Sequence, residues 1–397
     1  MSKRSLAGLN AAHLDGQRVI VRVDLNVPMA DGVVRDDTRI RAALPTIQFL
    51  HDHGARVVLL SHLGRPKGGP DPKYSLRPLV RELERLLGFP VTFLADPTSE
   101  AAVAQVRHLP RGGVALAENT RFYAGEEQND PVLADRFSAL GDMYVNDAFG
   151  SAHRAHASTE AIAHRLKPAV AGFLMEKELR FLGEAVDHPA RPFVAILGGA
   201  KISGKIDLIE SLLPKVDRIL IGGAMACTFF RAMGLETGTS LVEADRVEMA
   251  RALLQAAGDK LVLPTGAVIA QKLESGAGTR EVSRDQIPAG WAMYDIDSGS
   301  VAAFTTIIAA ARTVIWNGPM GVFETPPFEQ GTMNVARALA LATASGAVTV
   351  VGGGDSAAAV AAAGLENQVT HVSTGGGASL EFLEGKPLPG VAALDEA

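Results

Sequence analysis

The patterning of this chain predicts an α/β fold of two Rossmann-like, doubly wound parallel-sheet domains joined by a hinge helix. Three observations carry that expectation. Short runs that are apolar on both faces alternate with longer helical periodicities, as parallel strands covered on both sides require. At 397 residues the chain exceeds one ordinary core, so two domains of roughly two hundred residues each are expected. Near the middle, one charged helical pattern over 175–186 stands between Pro168 and Pro189 and marks the connector.

Taken in order, the predicted strands span residues 18–23, 56–61, 113–117 and 143–146, then 193–197, 218–221, 313–316 and 347–351. Their apolar character is too continuous for a sheet with one wet face. Helical periodicity falls over 39–52, 76–87, 132–140, 206–213, 245–257, 301–311 and 332–344. The expected division is a first domain over 1–170, the connector over 171–187 and a second domain over 188–387. The longest uncharged stretch, 338–354, is broken by glycines and reads as a buried strand with flanking loops rather than a membrane helix. No fixed-period repeat or low-complexity linker is visible.

Composition narrows the function classes. With 38 basic and 44 acidic residues the net charge is −6, which gives no general attraction for nucleic acid or an anionic membrane. Cys227 is the single cysteine, so internal disulfides are excluded and a reducing, cytoplasmic setting fits. Residues 1–15 are polar and mixed, without the apolar core of a secretory signal. The expectation is a soluble cytoplasmic protein whose anion sites are built by local clustering.

Such clustering is present at the strand ends, and its kind differs between the halves. In the first half, Arg22, Arg39, Arg65, Arg121 and Arg154 lie beside turns or at the ends of apolar runs. Arg22-Val23-Asp24-Leu25-Asn26 sets a carboxylate and an amide two residues apart, on one side of an extended chain. His62-Leu63-Gly64-Arg65, Glu118-Asn119-Thr120-Arg121 and His153-Arg154-Ala155-His156 follow three further strands. A fixed fork of donors suits arginine to small anions, so four converging loops of this kind suit a small phosphorylated carboxylate or sugar.

In the second half the strand ends carry glycines: Gly198-Gly199, Gly222-Gly223, Gly352-Gly353-Gly354 and Gly375-Gly376-Gly377. Consecutive glycines let backbone N–H groups approach phosphate closely. The segment 199–206 has P-loop spacing through Lys205, but Ile206 stands where a metal-binding hydroxyl is needed, so a P-loop is rejected. In Gly353-Gly354-Asp355-Ser356 the serine is expected to cap the following Ala-rich helix, and Asp355 to reach a Mg-bound phosphate. Thr374-Gly375-Gly376-Gly377 repeats the arrangement before another short helix.

Over its full length the chain resembles a bacterial-type phosphoglycerate kinase. The likeness rests on 22–28, 61–66, 147–156, 197–205, 316–324 (WNGPMGVFE), 352–356 and 373–379, in that order. It implies reversible transfer of a phosphoryl group between MgATP and the carboxylate of 3-phosphoglycerate, giving MgADP and 1,3-bisphosphoglycerate, a step of glycolysis and gluconeogenesis. It also implies that Asp24, Asn26, Arg39, His62, Arg65, Arg121 and Arg154 bind 3-phosphoglycerate. Lys205, Glu324, Gly353, Gly354, Asp355 and Ser356 would bind the nucleotide, with Asp355 toward Mg²⁺ and Gly198, Gly199, Gly222, Gly223 and Pro319 shaping the adenine pocket. Arg39, Lys201, Gly375, Gly376 and Gly377 would face the transferring group. A monomer is implied, with residues 388–397 returning to the first domain. Many family members have threonine where this chain has Ser356. Two readings of other classes compete. A nicotinamide-dependent oxidoreductase on two such domains lacks a dinucleotide fingerprint and leaves the arginine loops without purpose, and a silent nucleotide-binding regulator has no need of both Arg39 and Lys201.

Overall fold

The computed structural model describes residues 3–67 and 69–397, which divide into two compact units, Met1–Arg180 with Pro387–Ala397, and Phe181–Lys386. In the first unit the elements are β1 (Arg18–Arg22), β2 (Met29–Ala30), β3 (Val33–Val34), α1 (Thr38–Asp52), β4 (Arg56–Leu60), α2 (Leu79–Leu87), β5 (Val91–Leu94), α3 (Glu100–Arg107), β6 (Val114–Ala117), α4 (Pro131–Ser138), β7 (Met143–Asn146) and β8 (Ala169–Ala171). Six of the strands form a parallel sheet in the order β5-β6-β4-β1-β7-β8, and β2 and β3 form a separate hairpin. The order reverses between β1 and β7, so the loops after β1, β4, β6 and β7 gather at the carboxyl edge beside the switch point, where such sheets bind ligands. Val19, Val21, Val57, Leu59, Val114, Leu116 and Val145 pack one sheet face into a continuous core with Ile40, Ile47 and Leu50 of α1. Each such side chain contributes about 1.5–3 kcal/mol on burial, so the loops stand on a stiff platform.

Helix α5 (Phe173–Asp187) follows β8 and runs across the boundary between the two units at Arg180 and Phe181. Its start is tied to the first unit by Asp147, just beyond β7. Asp147 Oδ1 accepts the N–H groups of Leu174 (2.9 Å) and Met175 (3.1 Å), and Thr46 Oγ1 accepts that of Phe173 (3.0 Å). Burial pushes the Asp147 carboxyl up to about 6 against those donors. Residues near the carboxyl end also join this unit: Asn146 Nδ2 donates to Gly390 O (3.0 Å), Gly390 N to Ala152 O (2.8 Å) and Asp395 N to Ala169 O (2.9 Å).

The second unit holds β9 (Phe193–Leu197), α6 (Ile206–Leu212), β10 (Arg218–Ile221), α7 (Met225–Ala232), α8 (Val247–Ala257), β11 (Leu261–Val262), β12 (Gly266–Ala270), β13 (Arg280–Ser283), β14 (Ala292–Ile296), α9 (Ser298–Ala310), β15 (Thr313–Asn317), α10 (Gln330–Ala344), β16 (Val348–Gly352), α11 (Gly354–Ala362), β17 (His371–Val372) and α12 (Gly377–Leu383). Its main sheet is parallel in the order β11-β10-β9-β15-β16-β17, with the switch point between β9 and β15. A small antiparallel sheet, β13-β12-β14, is an addition that the sequence reading did not foresee. The architecture is otherwise the α/β class expected. The eight anticipated strands all occur, five of them with ends moved by one residue.

Candidate substrate and nucleotide sites

Four strand-end loops of the first unit bring cationic groups together. Arg22, the last residue of β1, is wholly buried. Its Nε donates to Ser158 Oγ (2.9 Å), its Nη1 to Val23 O (2.6 Å), and its Nη2 lies 3.0 Å from His62 Nδ1. Asp24 and Asn26 leave the same strand. Asp24 Oδ2 accepts from Arg39 Nη1 at 2.9 Å, and Asn26 Oδ1 accepts the Gly64 N–H at 2.8 Å, which joins the β1 and β4 loops. Arg39 is the second residue of α1, part exposed and, among the described residues, held by that carboxylate alone. Arg121 Nη1 donates to Gly64 O (2.6 Å), its Nε is 3.3 Å from Glu127 Oε1, and Arg154 Nε donates to His153 Nε2 (3.1 Å). Arg65 is exposed and, among the described residues, held by no hydrogen bond or ion pair.

This arrangement concentrates positive charge. His62 is drawn well below 6.5 by burial and then by the charges of Arg22, Arg121, His156 and Arg39. His156 falls to about 4 through burial, helped by Arg22, Arg121 and Arg154. Both rings are neutral at pH 7, so the pocket's charge comes from guanidinium groups. Two framework residues escaped the sequence reading. Buried Glu126 accepts from Ser158 Oγ (2.5 Å) and Ser158 N (3.0 Å), and burial pushes its carboxyl up. Asn119, quoted only as part of a motif, clamps three loops: its Nδ2 donates to Leu63 O and Tyr74 O, and its Oδ1 accepts from Arg121 N. A glutamate and serine 32 residues apart carry no sequence signal of partnership.

In the second unit the glycine loops lock backbone against backbone. A Cβ on Gly198 would fall 2.0 Å from Pro319 O, one on Gly222 2.4 Å from Met320 Sδ, and one on Gly223 2.4 Å from Gly199 O. Backbone bonds from Gly199 N to Pro319 O (2.9 Å) and Gly223 N to Met320 O (2.8 Å) close the three-loop cradle. Thr332 Oγ1, on α10, accepts from Met320 N (3.0 Å) and Gly321 N (3.3 Å). Gly199, Gly354 and Gly376, by contrast, have nothing within 4 Å of an added Cβ.

Lys205, beside α6, donates from Nζ to Asn317 Oδ1. Burial lowers it to about 8, against the pull of Asp355 and Glu384. Lys201, Glu324 and Asp355 are exposed and, among the described residues, without a hydrogen bond or ion pair. Asp355 lies in the first turn of α11, where open N–H groups and its own carboxylate share one edge. Two expectations are corrected here. Ser356 caps nothing: Gly353 is the N-cap of α11, and the buried Ser356 Oγ accepts the Gly318 N–H at 2.6 Å, bracing the β15 loop. Gly375 N–H, expected to face the transferring group, donates to Ser373 Oγ at 3.1 Å, because a turn this tight satisfies its first amide internally. Gly376, at φ +50°, is then the N-cap of α12.

A family model described as phosphoglycerate kinase matches residues 9–386. The chain belongs to the phosphoglycerate kinase family. It is 55% identical over 400 residues to cytosolic phosphoglycerate kinase 3 of Arabidopsis thaliana and 53% identical over 401 residues to phosphoglycerate kinase of Synechococcus elongatus, each pair covered in full. Of solved structures, phosphoglycerate kinase from Coxiella burnetii superposes with TM-score 0.89 at 40% identity, and that from Pyrococcus horikoshii with 0.85 at 33%. Each covers 98% of both chains. As a phosphoglycerate kinase the chain is a phosphotransferase, and the oxidoreductase and silent-regulator readings fall. No group of three or more His, Cys, Asp or Glu forms a metal cage among the described residues. A lone, exposed Asp355 fits Mg²⁺ nonetheless, since that ion keeps most of its waters and is held by one or two carboxylates plus substrate phosphates.

Proposed function

We propose that this kinase transfers a phosphoryl group reversibly between MgATP and the carboxylate of 3-phosphoglycerate, with the acceptor bound in the arginine pocket and the nucleotide on the glycine cradle. The observation that carries the residue assignment is the contrast in polar partners. Arg65, Lys201, Glu324 and Asp355 are left exposed and, among the described residues, without hydrogen bonds or ion pairs, whereas Arg22, Asn119, Ser356 and Gly375 are consumed by the framework. In this reading Asp24 and Asn26 orient the substrate hydroxyl, and His62, Arg65, Arg121 and Arg154 hold its phosphate. Lys205, Gly353, Gly354 and Glu324 hold the nucleotide, while Gly198, Gly199, Gly222, Gly223 and Pro319 wall its base. Ser356 acts through the loop it braces.

The nucleophile is a carboxylate with an ordinary pKa of about 4, already ionised, so no side chain has to remove a proton. What remains is positioning and cancelling charge. Arg39, Lys201 and the amide edge at Gly376 and Gly377 are assigned to the transferring group. Mg²⁺ on Asp355 would supply charge neutralisation of the nucleotide phosphates when bound. We further assign a monomer in the cytoplasm. The matched relatives include a cytosolic plant enzyme and a chloroplastic one from Chlamydomonas reinhardtii, and no helix among the described residues is long and apolar enough to cross a membrane. The test is a coupled assay of ATP consumption. Turnover should require both 3-phosphoglycerate and Mg²⁺, and ATP loss indifferent to 3-phosphoglycerate would refute the assignment.

A further inference from the structure

We propose that Arg22 is a positioning residue that holds His62 in its Nε2–H tautomer, so that His62 offers the pocket's anionic ligand a hydrogen-bond donor and never an acceptor. The proposed function uses His62 and leaves Arg22 without a task. Arg22 is 1% exposed and His62 7%, and Arg22 Nη2 lies 3.0 Å from His62 Nδ1. A guanidinium carries five N–H donors and no acceptor. The contact is a hydrogen bond only where Nδ1 keeps its lone pair, and the neutral ring's single proton then sits on Nε2.

Arg22 is well fixed for this task. Its Nε and Nη1 are held by Ser158 Oγ (2.9 Å) and Val23 O (2.6 Å), and Ser158 in turn donates twice to Glu126. Glu126 receives two donors and so acts as the buried counter-charge of Arg22 at one remove. The charged and titratable groups facing His62 are Arg22 from β1, Arg39 from α1, Arg121 after β6 and His156 after β7. All are cationic or become so on protonation, so none favours an imidazolium. Burial and these neighbours hold the ring neutral well below its ordinary value. A neutral donor at this point binds an anion without adding a titration of its own near pH 6.5, the ordinary histidine value.

The experiment is nitrogen NMR on the full chain labelled with ¹⁵N-histidine, the His62 signals being assigned by their loss in His62→Gln. Without ligand, His62 should show an unprotonated Nδ1 and a protonated Nε2, unchanged from pH 8 to pH 5.5. In Arg22→Met the ring should sample both tautomers while staying unprotonated over the same range, because burial, the larger cause of its lowered value, remains, and KM for 3-phosphoglycerate should rise. Ser158→Ala, which keeps Arg22 but frees it, should admit the second tautomer in part. A wild-type proton on Nδ1, a wild-type titration near 6.5, or signals in Ser158→Ala and Arg22→Met that match the wild type would each overturn the proposal. The spectra decide the matter even where Arg22→Met fails to fold. The ligand's identity rests on the proposed function, but the ligand-free spectra do not, so a failed kinase assay with an intact tautomer separates the two.

Discussion

Arg39 is part exposed and Arg65 exposed, and their settings predict different kinetic losses. Arg39 is aimed by Asp24 at 2.9 Å from the first turn of α1, whereas Arg65 has no hydrogen bond or ion pair among the described residues. Contacts equal in ground and transition states set KM, and those gained only in the transition state set kcat. Arg39→Ala should therefore lower kcat on the order of a hundredfold, as loss of one preorganised charge donor does, while Arg65→Ala should chiefly raise KM for 3-phosphoglycerate. Steady-state kinetics separates them, and a normal kcat in Arg39→Ala would end its assignment to the transferring group. Lys205 gives a pH prediction. Burial leaves it at about 8, and phosphate favours the ammonium form, so nucleotide binding should take up a proton near pH 8 and weaken as pH rises through it. Calorimetry in buffers of different ionisation enthalpy measures that uptake, which should vanish in Lys205→Met. The pocket's arginines were legible because arginine at a strand end is chemically conspicuous. Glu126, Ser158 and Thr332 were not, since their importance lies in which backbone or guanidinium group they happen to meet.

Among elements, the loops after β9, β10 and β15 behave as one piece, because each glycine occupies space that a neighbour's backbone has already narrowed. Gly198→Ala should cost on the order of 3 kcal/mol by forcing the Pro319 carbonyl away. Gly354→Ala, with nothing within 4 Å and no strained φ, should stay within about 0.5 kcal/mol of wild type. Chemical denaturation checks both, and equal stabilities would mean that the cradle yields. The four inner strands of each parallel sheet were legible from apolar continuity. Missed were the two-residue strands β2, β3, β11 and β17, the three-residue β8, β5, whose two end residues alone are buried, the polar edge strand β13 (REVS), and β12 and β14, which are no shorter than the strands found. Helix α7 (MACTFFRA) was passed over because seven of its eight residues are buried, leaving no polar stripe to set a helical period. Periodicity reports a boundary between core and water, and these segments lie wholly on one side of it or are too short to sample both.

For the molecule as a whole, the proposed chemistry sets a distance: in-line transfer brings the reacting atoms within roughly 3.5 Å. If acceptor and nucleotide bind on different units, the working enzyme should become more compact with both ligands than with either alone. Small-angle scattering reads this as a smaller radius of gyration, and an unchanged value in a competent ternary complex would exclude closure. Another consequence lies in the order of synthesis. Asn146, Ala152 and Ala169 of the first unit find partners in Gly390 and Asp395, which leave the ribosome only after all of the second unit. During translation that unit must wait, with its β8 edge, the Ala152 carbonyl and the Asn146 side-chain amide uncovered, while some two hundred unrelated residues are made and begin to fold. Nascent chains stalled at Lys386 should therefore be cut by protease within the first unit more readily than the released protein. Residues 387–397 act as a latch, thrown once, after everything between has been built.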